Sequence, residues 1–237
     1  MFRKFLLACL LPLLLLTSLC SGAYPITNAA LTKMFWEHFP KYSNADKKQF
    51  LLGTLFPDVH YLANCPREIT YVANVTIDEI LNASTPFQAG LLFHSYIDQE
   101  RESFVVSQGL YDYISTFNSP VPASQLKIAE DECLYPTANW KICVTSVGTI
   151  AEEEKTFGID EDAIRQWHFA LSYYFSYAPS TVIWYLSSRE IGAFDVSPQE
   201  MTPVYEIHKI LGNDEVIKKH VDNLMDHFKK LFADAQK

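Results

Sequence analysis

Apolar residues recur along most of the chain at intervals of three and four, the spacing of one face of an α-helix. The segment 86–117 begins with Pro86, a favourable first residue of a helix, and we expect a break in it near Gly109. No strict alternation of polar and apolar residues is long enough to indicate a strand. The pattern therefore predicts an all-α, single-domain multi-helix bundle. Helices are predicted over 28–39, 44–56, 86–117, 140–157, 160–178, 181–189 and 214–235.

The first 23 residues have the pattern of a secretory signal peptide. Arg3 and Lys4 precede an apolar run over 5–16, and small residues follow at Ser21 and Ala23. The run is too short to span a bilayer, and no later segment is both long and apolar enough to do so. We therefore expect a signal peptide at 1–23, a mature helical domain at 24–237 with no transmembrane anchor, and export to the periplasm or outside the cell.

The acidic charge of the chain argues against a nucleic-acid partner. The chain carries a formal charge of −9, and removal of Arg3 and Lys4 makes it more acidic. Because nucleic-acid binding depends on basic surfaces, no nucleic-acid partner is expected. A phosphate ester is still a possible substrate, since a bound metal ion can supply local positive charge.

Three cysteines lie beyond the predicted signal peptide, at Cys65, Cys133 and Cys143. In an exported protein, Cys133 and Cys143 could form a disulfide that closes a short loop. The alternative is that all three are small buried thiols. The sequence leaves both open, because it does not report the distance between their Cα atoms.

Two short stretches place potential metal ligands in apolar surroundings. In "GLLFHSYIDQE", His94 and Asp98 are four residues apart and share one helix face, which the neighbouring apolar residues mark as buried. In "GTLFPDVHYL", Asp58 and His60 follow a helix that Pro57 ends. Imidazoles and carboxylates are ligands that zinc accepts. The alternative reading of His94 and Asp98 is a hydrogen-bonded structural pair.

Together the two stretches resemble the zinc-dependent phospholipase C family, which includes the catalytic domain of glycosylphosphatidylinositol-specific phospholipase D and is related in fold to P1-type nucleases. The resemblance lies in "G-x-x-x-P-D", here ending at Asp58, and in "G-x-x-x-H-x-x-x-D", here from Gly90 to Asp98. It implies an all-helical fold with metal bound by Asp58, His94 and Asp98. His60 is a candidate to complete the site. Asp58 is also the candidate catalytic base in the hydrolysis of phospholipid head-group phosphodiesters.

The chain departs from the family pattern at several ligand positions. Tyr24 and Asn28 stand where the family has a tryptophan and a histidine, and Phe104 lies near the position of another histidine. These differences leave at most one zinc ion. Besides a phosphodiesterase acting on a phospholipid at a membrane surface, we therefore consider a degenerate member that binds a lipid or a protein. A metal-dependent nuclease is a third and weaker hypothesis, because of the acidic charge.

Overall fold

The computed structural model describes residues 22–63, 65–187 and 198–237. These residues form helices and connecting loops, with no strand among them, so the predicted all-α class is confirmed. Most of the predicted signal peptide lies outside the described residues. The α-helices are α1 (Pro25–His38), α2 (Asn44–Leu55), α3 (His60–Ala63), α4 (Ile77–Leu81), α5 (Pro86–Ser107), α6 (Leu110–Ser115), α7 (Pro122–Leu134), α8 (Lys141–Ser146), α9 (Glu161–Ser176), α10 (Pro179–Ser187), α11 (Pro198–Leu211) and α12 (Glu215–Asp234).

Local sequence signals set the ends of the two helices that carry the candidate ligands. At the start of α2, the Ser43 side chain accepts from the backbone N–H of Asp46 and the Asp46 carboxylate accepts from that of Ser43, forming a capping box. The Thr85 side chain caps α5 and is followed by Pro86. Helix α2 ends at Leu55, and a single 3₁₀ turn, Pro57–Val59, follows at once. Pro57 stops the helix because it has no N–H to continue the hydrogen-bond ladder.

Helices α2 and α5 cross with their backbones almost in contact. A Cβ atom added to Gly53 would lie 2.0 Å from the carbonyl oxygen of Phe87, and one added to Gly90 would lie 1.9 Å from that of Phe50. No side chain fits at either position. The two glycines of the sequence motifs are therefore the points at which the helices meet.

Aromatic rings from four helices fill the core beside this crossing. Phe35 of α1 lies 4.6 Å from Phe93 of α5 and 5.4 Å from Phe232 of α12, measured between ring centroids. Phe50 of α2 lies 5.4 Å from Phe93. All four side chains are fully buried. Burying an aromatic side chain contributes about 2 kcal/mol, so this cluster is a major source of stability.

A buried ionic group joins α5, α7 and α12. The Arg101 guanidinium donates two hydrogen bonds to the Glu130 carboxylate, at 2.8 and 2.9 Å, and neither side chain is exposed. Nε2 of His220 lies 2.8 Å from the same carboxylate. Burial opposes the ionised form of Glu130, but Arg101 and His220 outweigh it and hold the pKa of Glu130 below its ordinary value.

A second buried acid, Asp131, stabilises the start of α1. Its carboxylate accepts hydrogen bonds from the backbone N–H groups of Ile26 and Thr27, at 3.0 and 2.8 Å, and from the Thr27 hydroxyl. These N–H groups belong to the first turn of α1 and have no partner within the helix. Asp131 therefore acts as a cap supplied by another helix, α7.

The predicted helices agree with the structure in most places. The break at Gly109 is present and separates α5 from α6. The continuous helix predicted over 140–157 is wrong, because the structure has α8, a loop and a short 3₁₀ helix, Glu154–Phe157. The predicted helix at 181–189 begins at Pro179 as α10, and its last two residues lie outside the described ones. The analysis of apolar spacing missed α3, α4, α7 and α11.

Cys65, Cys133 and Cys143 are all free thiols in the structure, so the possible disulfide between Cys133 and Cys143 is not formed. Burial raises the pKa of Cys133 to about 11 and that of Cys143 to about 12. These two groups are therefore protonated at neutral pH and poor nucleophiles.

Among the described helices, none combines the length and the apolar character needed to cross a membrane.

We expect the substitution Gly90→Ala to destabilise the protein strongly. Its methyl group would overlap the Phe50 carbonyl oxygen, so α2 and α5 would have to separate. Overpacking of this kind typically lowers the free energy of unfolding by about 1–3 kcal/mol, and we expect at least that loss. The free energy of unfolding from urea titrations measures this cost. Gly148→Ala is the control, since its new Cβ would meet only the Thr145 carbonyl oxygen, at 3.3 Å. Equal stability of the two variants would contradict the close crossing.

We expect Glu130→Gln to lower the free energy of unfolding by about 3–5 kcal/mol at pH 7, because it leaves a buried arginine without its counter-ion. The pKa of Glu130 is lower in the folded state than in the unfolded state. The ionised carboxylate therefore stabilises the protein fully above the unfolded pKa of about 4.3, and this stabilisation decreases as the pH falls below that value. The deficit of the variant should therefore shrink below about pH 4. Glu206→Gln, which breaks an exposed pair with Lys209, should cost under about 1 kcal/mol. Urea titrations at several pH values test both expectations, and a pH-independent deficit would contradict the ionic role of Glu130.

Candidate metal centre

The crossing of α2 and α5 brings together three of the four predicted ligands. Asp58 lies in the 3₁₀ turn after α2, and His94 and Asp98 lie on consecutive turns of α5. Oδ1 of Asp58 is 3.8 Å from Nε2 of His94, and Oδ2 of Asp98 is 3.2 Å from the same nitrogen. All three residues are buried. The convergence that the sequence predicts for Asp58, His94 and Asp98 is thus present.

The orientation of His94 is fixed by the end of α2. Its Nδ1 donates a hydrogen bond of 2.9 Å to the carbonyl oxygen of Thr54, which lies in the last turn of α2. Because a carbonyl oxygen only accepts, Nδ1 carries a proton, and Nε2 is the ring nitrogen that faces the two carboxylates. Nε2 is buried and makes no hydrogen bond of normal geometry in the described structure.

A residue that the sequence analysis did not single out, Arg67, also lies in this cluster. Its Nη2 is 2.5 Å from Oδ2 of Asp98, and its guanidinium lies 4.2 Å from the centre of the Tyr71 ring. Arg67 begins a 3₁₀ turn, Arg67–Ile69, in the loop between α3 and α4. No regular spacing relates it to the other residues, since a loop brings it to them. Only the position of this loop against α5 reveals its role.

The backbone just before α1 contacts the other oxygen of Asp98. The N–H of Ala23 donates a hydrogen bond of 3.0 Å to Oδ1. Asn28, one turn further along, donates from its side-chain amide to the Ala23 carbonyl oxygen at 3.2 Å. Asp98 therefore has a guanidinium on one oxygen, a backbone N–H on the other and His94 nearby.

These partners determine the charge states. Burial favours the neutral form of His94, but the Asp98 and Asp58 carboxylates outweigh it and raise the pKa of His94. Burial likewise favours the protonated form of Asp98, but His94, Arg67 and the Ala23 N–H outweigh it and lower the pKa of Asp98. The cluster therefore carries a stable negative charge on Asp98, with cations around it.

Several other histidines in the described part of the chain also lie beside carboxylates. Nε2 of His168 is 2.7 Å from Glu154, and the corresponding distance from His208 to Glu132 is 3.4 Å. His220 pairs with Glu130 and His227 lies near Glu100. Each of these histidines has one such carboxylate neighbour, whereas His94 has two. A nitrogen that faces two carboxylates is the arrangement that a cation would bridge.

The donor set fits a zinc ion in its chemistry. A metal-binding histidine typically donates its second ring N–H to a backbone carbonyl, as His94 does to Thr54. In the described residues, however, no group of three or more His, Cys, Asp or Glu side chains is already arranged to hold a metal ion.

His60, the fourth predicted ligand, is half-buried in the turn that follows Asp58. Its Nδ1 lies 2.8 Å from the carbonyl oxygen of Pro57, within the same turn. That His60 completes a metal site stays a prediction. Phe104, near the position at which the family has a histidine, stacks on His220 and His227 and packs against α12.

No protein-family profile, curated protein or solved structure matches the chain.

Proposed function

We propose that this chain is an exported, metal-dependent phosphodiesterase that resembles the zinc-dependent phospholipases C and D and hydrolyses phospholipid head-group phosphodiesters. One zinc ion would be bound by Asp58, His94 and Asp98. The observation that carries the proposal is the buried Nε2 of His94, which faces two carboxylates and has no hydrogen bond of its own.

The residues around the candidate metal centre would have different roles. Thr54 fixes the tautomer of His94, so that Nε2 is available as a ligand. Arg67 and the Ala23 N–H keep Asp98 ionised and limit its rotation. Asp58, in the turn after α2, would be both a ligand and the base that takes a proton from the attacking water. Zinc, when bound, supplies a Lewis acid that polarises the phosphodiester and acidifies a water molecule.

The loop that carries Arg67 supports a substrate in a membrane surface. Two of its apolar side chains, Ile69 and Val72, are 42% and 43% exposed. The loop also places the Arg67 guanidinium, about a fifth exposed, beside the candidate metal centre. Apolar side chains next to a cationic group match the acyl and phosphate layers of a phospholipid.

A second candidate function is a degenerate family member that binds a lipid or a protein partner without catalysis. The observation that favours it is the ion pair between Arg67 and Asp98, because a guanidinium already neutralises a carboxylate that zinc would need. In this alternative the cluster stabilises the protein and holds the loop with Ile69 and Val72 in place. Measurements of metal content and of turnover distinguish the two functions.

We expect purified mature protein to bind one equivalent of zinc and to hydrolyse a phosphatidylcholine analogue in a chelator-sensitive manner. His94→Gln should remove most of the bound zinc and the turnover, because it deletes the central ligand. Elemental analysis and release of the head group measure the two effects, and a thermal melt shows whether the variant is folded.

His38→Gln provides the matched control for this experiment. His38 lies at the end of α1, and its ring nitrogen hydrogen-bonds the Met34 carbonyl oxygen in the same helix. This variant should keep zinc and activity. Less than one equivalent of zinc, together with no chelator-sensitive turnover in the unaltered protein, would exclude the enzyme and leave the binding module.

We also expect the double substitution Ile69→Ser and Val72→Ser to weaken binding to phosphatidylcholine vesicles several-fold. Both side chains are exposed, so their replacement removes apolar contact with the membrane and leaves the core intact. Vesicle co-sedimentation measures the effect. Val106→Ser, at the end of α5, replaces a side chain that is 60% exposed and serves as control. Equal loss in both variants would show that this loop has no special part in membrane binding.

A further inference from the structure

We propose that the signal peptide is cut between Gly22 and Ala23, and that the new α-ammonium group of Ala23 forms a buried ion pair with Asp98. The bond predicted from the sequence alone lies one residue further on, between Ala23 and Tyr24. The inference rests on the export part of the proposed function.

Both backbone polar groups of Ala23 are hydrogen-bonded to side chains of the folded domain. Its N–H donates to Oδ1 of Asp98 at 3.0 Å, and its carbonyl oxygen accepts from the Asn28 side chain at 3.2 Å. Ala23 is 4% exposed and Asp98 is 2% exposed. A cut after Ala23 would remove both contacts and leave Asp98 with an unsatisfied oxygen in a buried place, which is costly. The folded domain therefore extends back to Ala23.

Gly22, by contrast, is crowded against the same carboxylate. Its φ angle is +141°, and a Cβ added to it would lie 2.5–2.6 Å from all three atoms of the Asp98 carboxyl group. A residue with a side chain would not fit there. Removal of Gly22 loses no side-chain contact.

The sequence allows the cut before Ala23. Signal peptidases require small residues at the first and third positions before the bond. Gly22 and Cys20 meet this requirement for the bond before Ala23, and Ala23 and Ser21 meet it for the bond after Ala23. Both bonds satisfy the rule, and only the bond before Ala23 yields a product that keeps the contacts of Ala23 in the folded domain.

Hydrolysis of the Gly22–Ala23 bond changes the charge at Asp98. Water adds across the amide, so that Gly22 leaves with a carboxylate and Ala23 keeps its nitrogen as an ammonium group. The neutral hydrogen bond to Asp98 becomes a charge-assisted one, which is about twice as strong. Asp131 already fixes the backbone of Ile26 and Thr27, so the ammonium group is held in position at little cost in entropy.

The first test is the N-terminal sequence of the secreted protein. The full chain is expressed in a host with a secretory pathway, and the exported product is analysed by Edman degradation and intact mass. We expect it to begin Ala-Tyr-Pro. A start at Tyr-Pro-Ile would overturn the proposed cut and leave export standing. An uncut chain that starts at Met1 would overturn both.

The second test measures the ion pair itself. Three forms of the mature protein are prepared by removal of a fusion partner: one starting at Ala23, one with Ala23 acetylated and one starting at Tyr24. Acetylation keeps the N–H but removes the charge, so we expect that form to melt about 3 °C below the free Ala23 form. The Tyr24 form should melt at least as low, because it lacks the nitrogen that bonds Asp98.

The same comparison in an Asp98→Asn background provides the control, since removal of the carboxylate should abolish the difference between free and acetylated Ala23. Equal melting temperatures of the free and acetylated forms in the unaltered sequence would overturn the ion pair. A difference that persists unchanged in Asp98→Asn would overturn the choice of Asp98 as its partner.

Discussion

The close contact between α2 and α5 is the constraint on which the rest of this structure depends. Gly53 and Gly90 each face a carbonyl oxygen of the other helix, and neither position has room for a side chain. At this separation, the end of α2 lies beside the second and third turns of α5. The Thr54 carbonyl then meets His94, and the turn after Pro57 presents Asp58 to the same imidazole. Packing of two backbones thus creates the polar cluster.

Two buried carboxylates in this helical protein, Glu130 and Asp98, each pair with an arginine. Glu130 is neutralised by Arg101 and lies beside His220, and Asp98 is neutralised by Arg67 beside His94. Each group joins segments that are distant in the sequence, which makes its formation dependent on the complete fold. A buried charge without such partners would cost several kcal/mol. The difference between the two groups is their surroundings, since Arg101 is fully buried whereas Arg67 reaches solvent from a loop.

The sequence predicted the helical class and the convergence of Asp58, His94 and Asp98, because periodicity and short motifs are local and each motif places its residues on one element. It missed α7, whose interior face includes Lys127, Glu130 and Asp131; these buried polar residues hide the apolar stripe on which such predictions depend. It also missed Arg67, because a loop brings this residue to Asp98 and no spacing rule describes that loop. The helix predicted over 140–157 was wrong because apolar residues there pack from a loop as well as from helices.

The contact of Phe35 with Phe232 joins the first helix of the described domain to the last one. During synthesis, α1 leaves the ribosome long before α12 is made. Phe35 therefore cannot contact Phe232, nearly 200 residues later in the sequence, until α12 has been synthesised. The core therefore closes only once the whole chain has been made. This aromatic contact therefore forms late, after both α1 and α12 are available.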